Sequence, residues 1–316
     1  MKKNLLKRII RKVKRLLNLK IFSEKIKNNF WIRKFFKKYK DYTIVWCYPH
    51  IGDAFMAMPF VEEYKKKNNV KILVIGNQKY DYLYKIFDKN NEFNYYFCSE
   101  KDMMRFSYNN NFSFTNSFIM KKVKENKYIN NEIYYMQKFY NFKEKEGAFN
   151  YTKRVIYGLD ENIQIQLPKI TTSRCLSKNK YIIISPYAQS AKLINLEEYD
   201  KLISKLKDEG YDVYTNAYGQ EKELNGTKRL ECSLIELCEY ANSAVAFIGI
   251  RSGICDMLAM LTNVNMYVFD NMYMNNAFLC LLNEVRTTNT IFEYFGTDYQ
   301  LYFDDILKHL ENKNGN

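Results

Sequence analysis

Three short stretches hold side chains whose types and spacing could do chemistry. The first is His50-Ile51-Gly52-Asp53. Gly52 lets the backbone turn sharply, and Asp53 stands where an apolar helical pattern begins. A carboxylate at that place could take the proton of a sugar hydroxyl as a general base. It could equally be an ordinary N-cap for free helix amides. His50 could bear on an acceptor or simply line the loop. The second stretch is Ser185-Pro186-Tyr187-Ala188-Gln189-Ser190-Ala191-Lys192. Its small and hydroxyl residues permit close approach of a ligand, and Lys192 could neutralise a diphosphate leaving group without a metal. The alternative is a surface loop with a solvated lysine. The third is Gly249-Ile250-Arg251-Ser252-Gly253-Ile254-Cys255-Asp256. It opens a helix whose first amides are free to bind an anion. Arg251 could add a two-pronged phosphate contact and Asp256 could hold a ribose or sugar hydroxyl. The same two residues could instead pair with each other. Cys255, with no histidine nearby, reads as a packed residue.

The elements around these stretches are those of an α/β chain. Residues 42–47 read as a buried strand, residues 53–67 as a helix, 70–75 as a strand, 79–87 as a helix and 94–98 as a third strand. Alternation of this kind predicts a parallel sheet. Residues 100–165 are less legible, with Asn-rich loops, an aromatic helix near 132–142 and a helix near 151–157. The stretch 166–180 reads as a linker, after which the pattern restarts: strands at 181–185, 211–215, 244–248 and 265–269, helices at 196–209, 233–242 and 252–261. Residues 298–312 form a last helix. The expected division is therefore a basic segment over 1–40, one α/β domain over 41–165, the linker, a second over 181–297, and a C-terminal helix and tail over 298–316. Ligands of open α/β sheets bind outside the carboxyl ends of the strands, where all three stretches fall.

Charge sharpens this division. Of 49 Lys and Arg, 16 lie within residues 1–40 beside a single acid, Glu24, which leaves 33 basic and 34 acidic residues for the remaining chain. A near-neutral body argues against a nucleic-acid enzyme, whose cations should surround its cleft. In the basic segment Leu5, Leu6, Ile9, Ile10, Val13, Leu16 and Leu17 fall within an arc of about 140° at helical spacing. Lys7, Arg8, Arg11, Lys12, Lys14 and Arg15 take the other side. This predicts an amphipathic helix lying on an anionic membrane surface, where each cation contributes about 1 kcal/mol. Packing of the same stripe on the protein's own core is the alternative. A second basic–aromatic stretch, residues 30–38, adds rings suited to the membrane interface. No run of eighteen apolar residues exists, and cations interrupt any signal-peptide core. Seven scattered cysteines without a CxxC pair, and only two histidines, argue against a disulfide framework or a structural zinc site. The expected setting is a reducing cytoplasm, on the inner face of the membrane.

Taken in order, the stretches resemble the bacterial heptosyltransferase-like glycosyltransferases, family 9. Ile51-Gly52-Asp53-Ala54 with Pro59 is similar to that family's N-terminal Gly-Asp motif. Ile184-Ser185-Pro186-Tyr187-Ala188 through Lys192, followed by residues 197–210, is similar to its donor-binding loop and helix. Tyr218-Gly219-Gln220-Glu221 resembles its Gly-and-Glu turn, and Ser233-Leu234-Ile235-Glu236-Leu237 through Gly253 and Ala259 its most recognisable block. The likeness spans residues 42–270. It implies two Rossmann-like doubly wound domains facing across a cleft, the GT-B fold. It also implies a metal-independent, inverting sugar transfer from a nucleotide sugar to a surface-glycan acceptor such as lipopolysaccharide or capsule, with no cofactor. Asp53 would be the base, with His50 and Gly52 in the acceptor loop. Ser185, Tyr187, Lys192, Glu221, Arg251, Ser252, Gly253 and Asp256 would face the donor. Arg251 and Asp256 depart from the family pattern, which has an acid or Thr and then a His at those places; this speaks against a heptose donor and for a changed donor contact. The rival readings are a polysaccharide pyruvyltransferase and a non-catalytic membrane-bound scaffold.

Overall fold

The computed structural model describes residues 30–32, 34–47, 50–107, 118–120, 148–188, 191, 193–270, 285 and 290–314. The chain divides into two compact units.

In the first unit β1 (Tyr42–Trp46), β2 (Lys71–Asn77) and β3 (Asn94–Cys98) form a parallel sheet in the order β3-β2-β1, and β4 (Phe118–Met120) adds antiparallel to β1. The β-branched and aromatic run of β1 is buried on both faces, as a central parallel strand requires. Gly76 lies in β2 because a Cβ there would meet the ring of Tyr84 at 2.8 Å. Tyr84 belongs to α3 (Asp81–Ile86), and its hydroxyl accepts a hydrogen bond from the Asn77 amide at 3.2 Å. Residues 30–32 and 34–38 are helical. Ile32, Phe35 and Phe36 of that stretch are buried, Phe35 lying edge-on to Tyr96 with ring centroids 4.9 Å apart. Rings expected at a membrane interface are therefore core residues, while Phe30 is 71% exposed and Lys34, Lys37 and Lys38 face solvent. The Leu5–Leu17 stripe lies outside the described residues.

The second unit is built on a six-stranded, all-parallel sheet in the order β10-β9-β8-β5-β6-β7. Its strands are β5 (Tyr181–Ser185), β6 (Asp212–Asn216), β7 (Lys228–Leu230), β8 (Ala246–Ile250), β9 (Met266–Asp270) and β10 (Ile291–Phe295). The order runs outward in both directions from the β5–β8 pair, the mark of a doubly wound sheet. Its core joins Ile182, Ile184, Ile248 and Phe269 of the strands to apolar faces of two helices, α6 (Asp200–Asp208) and α9 (Tyr299–Asn314). β8 runs two residues further than its sequence reading. Gly249 extends it because the Phe247 ring occupies the space of a Cβ, 2.7 Å away.

The predicted helix over 53–67 is broken into three pieces: α1 (Ile51–Ala57), a 3-10 turn (Met58–Phe60) and α2 (Val61–Asn68). Pro59 lacks the amide an α-helix would need there. Residues 50–64 pack with the second unit. The ring of Phe60 lies 4.6 Å from that of Phe149 in α5 (Ala148–Tyr151), and the Tyr157 hydroxyl donates to the Ala57 carbonyl at 2.7 Å. Residues 152–156 form a π-helical turn where an α-helix was expected. The segment read as a linker, residues 166–180, has no regular structure but is strapped to the second unit. Ile170 donates its amide to Leu261 O at 2.8 Å, and Asn242 Nδ2 donates to the Ile170 and Thr172 carbonyls. The helix expected near 132–142 lies outside the described residues.

Candidate functional site

The carboxyl edge of the six-stranded sheet gathers the candidate residues. β5 pairs Ser185 with Gly249 of β8, so the loops after these two strands leave the sheet side by side. Ser185 is buried, and its Oγ accepts a hydrogen bond from Asn216 Nδ2 at 3.1 Å, which ties the end of β5 to the end of β6. Asn216 went unremarked in the sequence. The signal available there was a polar residue closing a β-branched strand just before Gly219.

A second link joins the same two loops. Tyr187 Oη donates to the Lys222 carbonyl at 2.7 Å and accepts from the Lys222 amide at 3.2 Å. Burial raises this phenol above its ordinary range. Glu221 does not reach outward as a lone carboxylate: its Oε2 accepts the Tyr218 amide at 2.8 Å and closes the turn. Arg229 braces that turn through the Gly219 and Glu221 carbonyls, and Glu231 accepts the Gly219 amide at 3.1 Å. Beside Tyr187, a groove of about 540 Å³ is lined by Leu193, Asn195, Glu198, Thr297 and Tyr299 among others. Lys192 lies outside the described residues.

The loop after β8 is held from inside. Ser252 precedes α8 (Gly253–Leu261) as its N-cap in extended conformation. Arg251 and Asp256 are both 5% exposed and pair at 2.7 Å between Nη2 and Oδ1, while Arg251 Nη1 donates to Ser252 O at 3.1 Å. Of the two readings of these residues, the structure brings them together. Burial alone would lower the Arg251 pKa, but Asp256 beside it more than offsets this and raises it. Burial pushes the Asp256 carboxyl up and Arg251 opposes that shift. A neutral Asp256 would leave a buried guanidinium uncompensated, so the pair is ionic. Cys255 is buried, donates to the Ile250 carbonyl, and is pushed up to about 11 by burial, which makes it a packed thiol and not a nucleophile.

Against this loop lies the first turn of α1. His50 is exposed and occupies the N-cap place in extended backbone, without capping through its side chain. Asp53 thus falls inside the first turn and not at the cap; the described part of Asp53 is its backbone. A Cβ on Gly253 would stand 2.6 Å from Gly52 N and 3.2 Å from Gly52 Cα, and one on Gly52 would stand 2.9 Å from Asp256 Oδ2. Gly52, Gly253 and Asp256, some two hundred residues apart in sequence, therefore meet.

No protein-family model matches the chain, and no curated protein matches it by sequence. Solved structures do. The iron-containing dodecameric glycosyltransferase TibC of enterotoxigenic E. coli matches with a TM-score of 0.51 at 16% identity, over 82% of this chain and 64% of TibC. The E. coli ADP-heptose lipopolysaccharide heptosyltransferase II matches with a TM-score of 0.55 at 13% identity, over 86% of this chain and 99% of that one. A glycosyltransferase family 9 protein from Veillonella parvula gives 0.52 at 12% identity, over 85% and 90%.

The chain has the heptosyltransferase-like fold.

The likeness read from four short motifs is thus met again in the tertiary structure. This chain spans just under two-thirds of the length of TibC. One expectation is corrected. A chemistry free of metal and cofactor was expected, yet TibC, on the same fold, contains iron. Among the described residues no three His, Cys, Asp or Glu side chains converge as a metal site.

Proposed function

We propose that this chain is a glycosyltransferase moving a sugar from a nucleotide-diphosphate sugar to a hydroxyl of a bacterial surface glycan. The reading includes the GT-B arrangement of its two units and action beside a membrane. The observation that carries it is the contact of Gly52 with Gly253 and Asp256. Two loops singled out separately, one for an acceptor and one for a donor, lie against each other. In support, TibC has been crystallised with ADP-D-β-D-heptose, so a chain of this fold takes a nucleotide sugar.

In this reading the free amides at the start of α8 face the donor diphosphate, with Lys192 and the Tyr187 loop beside them. Asp53 takes the proton of the acceptor hydroxyl as its oxygen attacks the anomeric carbon from the face opposite the leaving diphosphate. The new glycosidic bond forms as the sugar–phosphate bond breaks, which inverts the anomeric centre. Arg251 and Asp256 engage each other and are left out of the donor set.

Thermal melting of the full chain with ADP, UDP, GDP or phosphoenolpyruvate tests the donor class. Stabilisation by one nucleoside diphosphate is expected. Stabilisation by phosphoenolpyruvate alone would overturn the reading in favour of pyruvyl transfer, and by none of the four in favour of a non-catalytic scaffold. Asp53→Ala should abolish transfer and leave nucleotide binding within about threefold; full activity in that variant removes the base.

A further inference from the structure

The first turns of α1 and α8 touch backbone to backbone. Each end carries the partial positive charge of free amides, and two such ends in contact repel. The Asp256 carboxylate stands against Gly52: its Oδ2 is 2.9 Å from where a Gly52 Cβ would lie. Its other oxygen is held by Arg251, itself tied to Ser252 O, and both side chains are buried. The carboxylate is therefore fixed in orientation and cannot swing out to solvent. Gly52 has no room for a Cβ, and Gly253 has none either, so the two turns are locked at one separation.

We propose that Asp256, held by Arg251, is a positioning residue: it fixes the backbone of Gly52 and thereby the placement of Asp53, the next residue. The inference rests on Asp53 being the base of the proposed transfer. Asp256 touches neither substrate nor reacting atoms. It acts through the α1 turn, and its loss should appear in turnover before it appears in donor affinity.

The test uses the full chain with Gly52→Ala, Asp256→Ala, the double variant, and Asp256→Asn as the isosteric change. Hydrogen exchange at the amides of residues 51–54 should rise about tenfold in each single variant, relative to exchange over β5 and β8. Turnover should fall about a hundredfold, as expected of a base displaced by part of an ångström, with nucleoside diphosphate affinity kept within about threefold. The double variant should be no worse than the poorer single one, because both remove the same lock. Unchanged exchange at residues 51–54, additive losses, or affinity falling in step with turnover would each overturn the proposal. Should Asp256→Ala fail to fold, Asp256→Asn, which keeps the shape of the buried side chain, and Gly52→Ala, which crowds Asp256 Oδ2 without removing it, carry the test. If the wild-type chain transfers no sugar, the function reading fails. The exchange measurement still judges the lock, since it needs no activity.

Discussion

Buried carboxylates in this protein hold backbone as much as they hold charge. Asp88 is 6% exposed, and its two oxygens accept the amides of Glu92 and Phe93 at 2.8 and 3.0 Å and the Tyr95 hydroxyl at 3.0 Å. Removing it leaves three donors at the entry to β3 without their acceptor. Asp88→Ala should therefore cost about 2–4 kcal/mol, read by urea unfolding. Near the surface, Asp212 shows the pH dependence. Ser177 first, then Lys228, hydrogen-bond its carboxylate and hold its pKa below the ordinary 3.8. A group depressed in the folded state stabilises it above the unfolded pKa, and that contribution is lost as the pH falls through the folded pKa. The melting temperature should drop as pH is lowered past 3.8, and Asp212→Asn should flatten that drop in a pH series of thermal melts.

At the scale of elements, the helix starts carry the information. α7 (Leu234–Ser243) opens on a capping box: Ser233 Oγ accepts the Glu236 amide at 3.3 Å and Glu236 Oε2 accepts the Ser233 amide at 2.9 Å. Ser233→Ala should destabilise the second unit by about 1 kcal/mol in denaturant titrations. α1 starts on His50 instead, with no such box, and owes its place to the aromatic cluster of Phe60, Phe149 and Tyr157 and to its contact with α8. Its position depends on tertiary packing, which is why a Cβ at Gly52 would be felt so strongly.

For the whole molecule, part of the basic N-terminal segment is core and not surface. Ile32, Phe35 and Phe36 belong to the core of the first unit, so they cannot also lie in a membrane. Deleting residues 1–40 should lower the melting temperature sharply, since burying each such side chain contributes about 1.5–3 kcal/mol. If the proposed action beside a membrane runs through the basic segment, deleting residues 1–29 should abolish co-sedimentation with vesicles containing anionic lipid. Unchanged sedimentation of that shorter chain, or none by the full chain, would overturn the membrane role proposed for those cations. Among the described residues no helix is long and apolar enough to cross a membrane.

The sequence by itself determined what is local. Apolar runs placed the strands of both sheets to within two residues at each end, apart from β4 and β7, which at three residues are too brief to read, and the edge strand β10, interrupted by Glu293. The charge partition and the three loops at strand ends were legible because each is a contiguous feature. What only the tertiary structure decided involves distant partners. Whether Phe35 meets lipid or Tyr96, and whether Arg251 meets a phosphate or Asp256, depends on what stands opposite each face. Amphipathicity and charge do not specify that. Gly52 read from sequence as a residue that eases a turn. A Cβ there would stand 2.9 Å from Asp256 Oδ2, two hundred positions on, a crowding that only the fold creates.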